Sequence, residues 1–124
     1  MPLILIVEDE DILRPVFEEM LERGGYDVLT VGSGKEAVSF CKKIQPHLVI
    51  TDIGLLDMDG LDLIRSLRGS HPDLPIVAMS GTVGGISLTR AIELGAIASL
   101  QKPFDYGEFL AMVGKILGKQ KPAS

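Results

Sequence analysis

Acidic residues follow two apolar segments of this chain, at the points where buried strands would end. An acidic run, Glu-Asp-Glu-Asp at 8–11, comes directly after apolar residues 3–7, and Asp52 follows the run 48–51. In open parallel sheets, ligands bind just beyond the carboxyl ends of the strands. Carboxylates crowded there repel one another, and a cation would relieve the repulsion. An all-oxygen set of ligands with open positions favours Mg²⁺.

Within this acidic set we predict Asp9 and Asp52 as Mg²⁺ ligands. Glu8 would bind the ion directly or through water, and the main-chain carbonyl of Gly54, just past Asp52, would complete the set. The two acids at 10–11 are better explained as N-cap residues of the following helix, where the helix dipole favours negative charge.

Lys102 follows the last strand-like segment and precedes Pro103. An X-Pro bond in a loop can be cis, which would fix the direction of the lysine. We predict that Lys102 pairs with Asp52 and later with a phosphoryl oxygen. Ser80, at the end of the fourth apolar segment, would donate its hydroxyl to another phosphoryl oxygen. Together these residues indicate an Mg²⁺-dependent aspartate that accepts a phosphoryl group.

The elements that must position these residues alternate between strand and helix. We predict strands at 3–7, 27–31, 48–51, 76–79 and 98–101. The first, third and fourth are continuously apolar, as in parallel strands covered on both faces. Alternating strands and helices imply a parallel α/β sheet with right-handed crossovers, and five strands favour the flavodoxin-like order 2-1-3-4-5. Strands one and three are then neighbours, which brings Glu8, Asp9 and Asp52 together.

Apolar periodicity predicts the helices, and Ser33 begins the second of them in a capping-box pattern with Glu36. Pro15 falls in or just past the first turn of the first helix. Asp57 and Asp59 are interpreted as turn residues before Gly60. The residues predicted to face the core are Leu13, Val16, Phe17, Met20, Leu21, Ala37, Val38, Cys41, Ile44, Ile64, Leu67, Leu88, Ala91, Ile92, Leu110, Val113 and Leu117.

Length and charge narrow the functional classes. The chain has 124 residues, enough for one domain, which we place at 1–118 with 119–124 as a polar tail or the start of a linker. A net charge of −5 offers no basic surface for nucleic acid or anionic lipid. No segment reaches a membrane-spanning length. The single Cys41 is expected to be a packed thiol, which fits a cytoplasmic protein.

These residues together resemble the receiver domain of bacterial two-component response regulators, of the kind found in chemotaxis regulators. The resemblance covers residues 3–117. It is carried by five positions in their order and spacing: Glu8 and Asp9, Asp52 before Met58-Asp59-Gly60, Ser80 after 75–79, and Lys102 before Pro103-Phe104.

The resemblance implies that Asp52 takes a phosphoryl group from the phosphohistidine of a histidine kinase or phosphotransfer protein, with Mg²⁺ bound. It implies that Ser80 and Lys102 hold the phosphoryl oxygens. The switch would then move the loop after strand four and the face formed by helix four, strand five and helix five. That face would control a downstream protein or an output domain, and could form a homodimer on phosphorylation.

Two positions depart from the family pattern, and two more lie where the family tunes dephosphorylation. Ser99 replaces an aromatic residue on strand five, and Leu56 replaces a proline, which predicts a less rigid loop. Gly54 and Thr82 lie where family members often carry side chains that tune dephosphorylation. Because neither offers an acid or amide to orient water, we predict slow-to-moderate autodephosphorylation. The pliable pair Gly84-Gly85 suits a loop that moves.

Other functions fit less well. A flavodoxin-type FMN site needs phosphate-binding donors after strand one, where this chain has an acidic run. The segment 33–36 lacks the upstream glycine and the Ser/Thr of a P-loop. A phosphohydrolase with an aspartyl intermediate would need a second acid two residues after Asp52, where Gly54 stands. The remaining alternative is a phosphorylation-independent interaction module that keeps the fold without switching.

Overall fold

The computed structural model describes residues 2–81 and 86–118. Its five strands form one sheet, in which every neighbouring pair is parallel and the order is 2-1-3-4-5. The flavodoxin-like α/β prediction is therefore confirmed. The strands are β1 (Leu3–Val7), β2 (Asp27–Val31), β3 (Leu48–Asp52), β4 (Ile76–Ser80) and β5 (Ala98–Gln101).

Two of the strands run one residue beyond their predicted ends. β3 includes Asp52 and β4 includes Ser80 as its last residue. Both residues are therefore held by the backbone pairing of the central strands.

Helices cover both faces of the sheet and divide the core into two layers. The helices are α1 (Leu13–Arg23), α2 (Gly34–Lys43), α3 (Gly60–Ser70), α4 (Ile86–Glu93) and α5 (Tyr106–Leu117). Buried residues such as Leu5 and Val49 pack with α2, α3 and α4 on one face. Their sheet neighbours Ile4 and Ile50 pack with α1 and α5 on the other, as the period-two alternation of a strand requires.

Side-chain caps explain where three of these helices begin. Ser33 accepts a hydrogen bond from the Glu36 amide at the start of α2, as the capping-box pattern predicts. Asp59 caps α3, and Asp105 caps α5 by accepting from the amides of residues 107 and 108. Each cap satisfies amides that have no partner within the helix. Asp59 therefore has a more specific role than the turn residue predicted from the sequence.

The prediction that residues 10–11 supply the N-cap of α1 is wrong. The cap position is Ile12, and no side chain caps the helix there. The two acids lie two and one residues before that position, and Glu10 takes part only through its main-chain carbonyl, which accepts from the Leu13 and Arg14 amides. The Asp11 carboxylate instead forms an ion pair with Arg14.

Three residues predicted to face the core are largely exposed: Val16, Ile44 and Ile92, with 47%, 52% and 44% of their surface accessible. Val16 and Ile92 lie at the edge of the apolar face of their helices, and each helix buries only part of that face. Ile44 follows α2 in an extended conformation, where the chain has left the helix. Cys41, by contrast, is buried as predicted, and burial raises the pKa of its thiol.

Several sequence predictions fall outside the described residues, namely those on Thr82, on Gly84-Gly85 and on the tail 119–124. Within the part of the chain that is described, no helix combines the length and apolar character needed to cross a bilayer.

Candidate functional site

The carboxyl ends of β1 and β3 bring the predicted acids together. Val7 pairs with Thr51 in the sheet, so Glu8 and Asp52 are the next residues on adjacent strands. Gly60 lets α3 begin directly against this edge, because a Cβ there would lie 2.3 Å from the Ile53 Cα. The sheet register and this close approach fix the main chain on both sides of Asp52.

Lys102 joins the two strand ends with one ammonium group. Its Nζ lies 2.7 Å from Asp52 Oδ2 and 2.7 Å from Glu8 Oε1. The Asp52 contact agrees with the sequence prediction, and the Lys102-Pro103 bond is cis. The partners are 50 and 94 residues away along the chain, so only the tertiary fold can bring them together.

Glu8 is the most enclosed acid of the site, with its side chain fully buried. Burial raises the pKa of its carboxyl, and the Lys102 ammonium offsets part of that effect. The second oxygen, Oε2, accepts from the Glu10 amide at 3.3 Å. Both oxygens of Glu8 are therefore occupied by donors from the protein.

Lys102 remains a cation in this setting. Burial lowers its pKa, but its hydrogen bonds and charge pairing with Asp52 and Glu8 outweigh the effect, and the net shift is upward. Its Nζ also lies 5.8 Å from the centre of the Phe17 ring, whose face attracts a cation. Phe17 in turn stacks with Phe104, two residues after the lysine. The ammonium thus lies near the Phe17 ring and pairs with two carboxylates.

An open cleft of about 660 Å³ exposes Asp52 to solvent. Asp52, Ser80 and Lys102 all line it, so the three residues predicted to handle a phosphoryl group share one space. Ser80 is 3% exposed at the end of β4. The cleft has room for a phosphoryl group together with the side chain that would deliver it.

Asp9 lies at the same edge, but its carboxylate faces the loop after β3. Its Oδ2 accepts from the Leu56 amide at 2.9 Å. Asp52 Oδ1 accepts from the Gly54 amide at 2.8 Å, which places the Gly54 main chain beside this carboxylate. Among residues 2–81 and 86–118, no three acidic, histidine or cysteine side chains converge as a metal-binding group.

The residues nevertheless fit Mg²⁺ in their chemistry. Asp9, Asp52 and the Gly54 carbonyl supply only oxygen donors at one sheet edge, which is the set that this ion prefers. Glu8 fits a contact through water better than direct ligation, since its side chain is fully buried whereas that of Asp52 is 14% exposed.

Sequence reasoning missed three features of the site. It paired Lys102 with Asp52 alone, whereas Glu8 shares the ammonium. It placed Glu10 in a helix cap, whereas this residue lines the cleft. It also gave no role to Phe17 beyond the core. The strand order puts Glu8 at the correct edge, but no sequence signal indicates how far the Lys102 side chain reaches.

Comparison with known proteins identifies the family. The sequence profile of the response regulator receiver domain matches residues 4–114. The DNA-binding transcriptional regulator NtrC of Azospirillum brasilense is 35% identical over 119 residues, which are 96% of this chain and 25% of that protein. The alkaline phosphatase synthesis transcriptional regulatory protein PhoP of Bacillus subtilis is 32% identical over 121 residues, or 98% of this chain and 50% of that protein. The chain thus spans a quarter to a half of these relatives.

Solved structures agree with this assignment. A putative response regulator from Chloroflexus aurantiacus superposes with a TM-score of 0.88 at 31% identity, covering 94% of this chain and 98% of its own. A chemotaxis-regulator-like receiver domain protein from Methanospirillum hungatei shares the fold with a TM-score of 0.91 at 24% identity, covering 97% and 96%. This chain belongs to the response regulator receiver domain family of two-component systems.

Proposed function

We propose that this chain is a phosphoacceptor receiver domain, in which Asp52 takes a phosphoryl group from the phosphohistidine of a histidine kinase or phosphotransfer protein. A carboxylate oxygen of Asp52 forms a bond to phosphorus while the bond from phosphorus to the imidazole nitrogen breaks. The imidazole keeps the electron pair of that bond. The observation that carries the proposal is the Lys102 ammonium, 2.7 Å from the acceptor carboxylate in an open cleft.

Lys102 and Ser80 are suited to hold the transferred group. A phosphoryl group brings three strong acceptor oxygens and additional negative charge. The ammonium already beside Asp52 can neutralise part of that charge through a charge-assisted hydrogen bond. Ser80 lines the same cleft and carries a hydroxyl donor. A positioned donor of this kind stabilises charge that develops during transfer.

Bound Mg²⁺ would supply a further positive charge next to the phosphoryl oxygens. Asp9, Asp52 and the Gly54 carbonyl would hold the ion, with Glu8 contributing through water. In the protein itself, the Leu56 and Gly54 amides orient the Asp9 and Asp52 carboxylates. Without an acid or amide at Gly54 or Thr82 to orient water, autodephosphorylation is slow to moderate.

Signal output would pass from Ser80 to α4, β5 and α5, which would control a downstream protein or an output domain. The coupling free energy of such switches is typically about 1–3 kcal/mol. Position 99 on β5 carries a serine in place of an aromatic residue, so an aromatic rotation is absent from this route. We place the receiver domain at 1–118, with 119–124 as a tail or linker, and we assign the protein to the cytoplasm. Dimerisation through the same face would appear as a change in sedimentation on phosphorylation.

Intact-protein mass spectrometry after incubation with a small phosphodonor tests the proposal. The expected result is a Mg²⁺-dependent gain of one phosphoryl group by the native chain and none by Asp52→Asn. Asp62→Asn is the matched control, because Asp62 is an exposed α3 acid whose ion pair with Arg65 is on the surface. A gain that persists in Asp52→Asn would assign the acceptor elsewhere. No gain by the folded native chain would favour the phosphorylation-independent module.

A further inference from the structure

The loop between β3 and α3, residues 53–59, is tied by hydrogen bonds to the neighbouring helix α2. The two carboxylate oxygens of Asp57 accept from the Gly34 amide at 2.9 Å and the Lys35 amide at 3.0 Å. These are the first two amides of α2, which Ser33 leaves unpaired because it accepts from the Glu36 amide. A residue of the phosphoacceptor loop therefore completes the cap of α2.

Side-chain packing also brings the 53–59 loop close to the start of α2. A Cβ on Gly34 would lie 2.4 Å from the Met58 Sδ and 2.6 Å from its Cγ, so a larger residue at position 34 would displace the Met58 side chain. The hydrogen bond from the Gly34 amide is the foremost cause of a lowered pKa at the Asp57 carboxyl. Asp57 is thus a charged acceptor over the whole physiological pH range.

The residue between this anchor and the acceptor contacts Asp9. The Leu56 amide donates to Asp9 Oδ2 at 2.9 Å, one residue before Asp57. Two residues earlier in the chain, the Gly54 amide donates to Asp52 Oδ1 at 2.8 Å. Leu56 is itself 89% exposed, so its side chain contributes little to holding the loop. Residues 53–59 contain no proline, whose ring would fix one φ angle of the loop. The main-chain hydrogen bonds restrain the loop instead.

We infer that Asp57 is a positioning residue of the phosphoacceptor site: by binding the first amides of α2, it holds the Leu56 amide on Asp9 and the Gly54 main chain beside Asp52. This inference rests on the proposed function, and it makes α2 part of the support of the site. Removing the Asp57 carboxylate frees the loop at one end. Lys102 and Ser80 lie on other elements and keep their positions.

Because Lys102 and Ser80 keep their positions, Asp57→Ala should change the Mg²⁺ dependence of phosphorylation more than its maximal rate. The Mg²⁺ concentration for half-maximal phosphorylation should rise about three- to tenfold. Loss of a residue that orients a metal ligand typically lowers metal affinity by about 10- to 100-fold, so the expected rise is at or below the lower end of that range. The maximal rate at saturating Mg²⁺ should stay within about twofold, because binding of the ion restores the ligand geometry. Asp57→Asn keeps one acceptor oxygen and should recover part of the loss.

The experiment has two arms on the full chain, with Asp62→Ala as the control for loss of an exposed acid. In the first, solvent exchange of individual amides is followed by NMR in metal-free protein. Asp57→Ala should speed exchange at the Gly34, Lys35 and Leu56 amides and leave the Val49 amide of β3 unchanged. In the second, phosphorylation by a small phosphodonor is measured across a Mg²⁺ titration. Urea unfolding confirms that every variant is folded.

The two arms distinguish failure of the inference from failure of the proposed function. Unchanged exchange at the Leu56 amide in Asp57→Ala would overturn the inference, and so would an equal Mg²⁺ shift in Asp62→Ala. Equal Mg²⁺ dependence of Asp57→Ala and the native chain would overturn it as well. If the native chain takes no phosphoryl group, the proposed function fails. Faster exchange at Leu56 in the first arm would then still support the anchoring role of Asp57.

Discussion

Replacing Lys102 by methionine isolates the electrostatics of the site, because the change keeps most of the side-chain volume and removes the charge. The pKa of Glu8 is already raised, foremost by burial, and Lys102 is the main influence that lowers it. Without the ammonium, the pKa of Glu8 must rise further. Glu8 contributes stability that is complete below its ordinary pKa of 4.5 and is lost as pH rises through the folded-state value. Lys102→Met should therefore lose stability as pH increases.

The size of the effect follows from the contacts. An opposite charge within hydrogen-bond range typically moves a carboxyl pKa by about 1–3 units, and each unit is worth about 1.4 kcal/mol. The Glu8 side chain is fully buried, whereas those of Lys102 and Asp52 are 18% and 14% exposed, so solvent screens part of the interaction. We expect the free energy of unfolding of Lys102→Met to fall by about 1–3 kcal/mol near pH 7.5 and by much less near pH 5.

Urea unfolding followed by far-UV circular dichroism at the two pH values measures this difference. Lys115→Met, at an exposed position on α5, controls for loss of a lysine in general. Adding Glu8→Gln to Lys102→Met should remove most of the pH dependence. The reasoning is refuted if Lys102→Met is as stable as the native chain near pH 7.5, or if its deficit is the same at both pH values.

Two substitutions and one labelling experiment test the packing and capping of the fold. Phe109→Ala should lower the free energy of unfolding by about 3–5 kcal/mol, measured by urea unfolding, because its buried ring packs against the rings of Phe104 and Phe17. Ser33→Ala should cost about 1 kcal/mol in the same assay, since it removes the acceptor for the Glu36 amide. Cys41 should react with a thiol reagent only as fast as the protein opens, because its thiol is buried and its pKa raised; rapid labelling of the native protein would contradict this.

The sequence alone determined the layers of the fold and the composition of the site. Continuous apolar runs predicted buried parallel strands, and the alternation of strands with amphipathic helices led to the observed order 2-1-3-4-5. Because chemistry in such sheets lies at the carboxyl ends of the strands, Asp52, Ser80 and Lys102 could be assigned to one edge. These inferences depend on local periodicity and on topology, which a sequence carries directly.

Only the tertiary structure decided which side chains contact each other and how deeply they are buried. Lys102 contacts Glu8 as well as Asp52, and the Asp57 carboxylate accepts a hydrogen bond from the first amide of α2. Val16 and Ile92 match an apolar period yet face solvent, because the area each helix covers depends on how it packs on the sheet. Contacts between residues far apart in the chain depend on register, side-chain reach and loop path, and none of these leaves a periodic signal in the sequence.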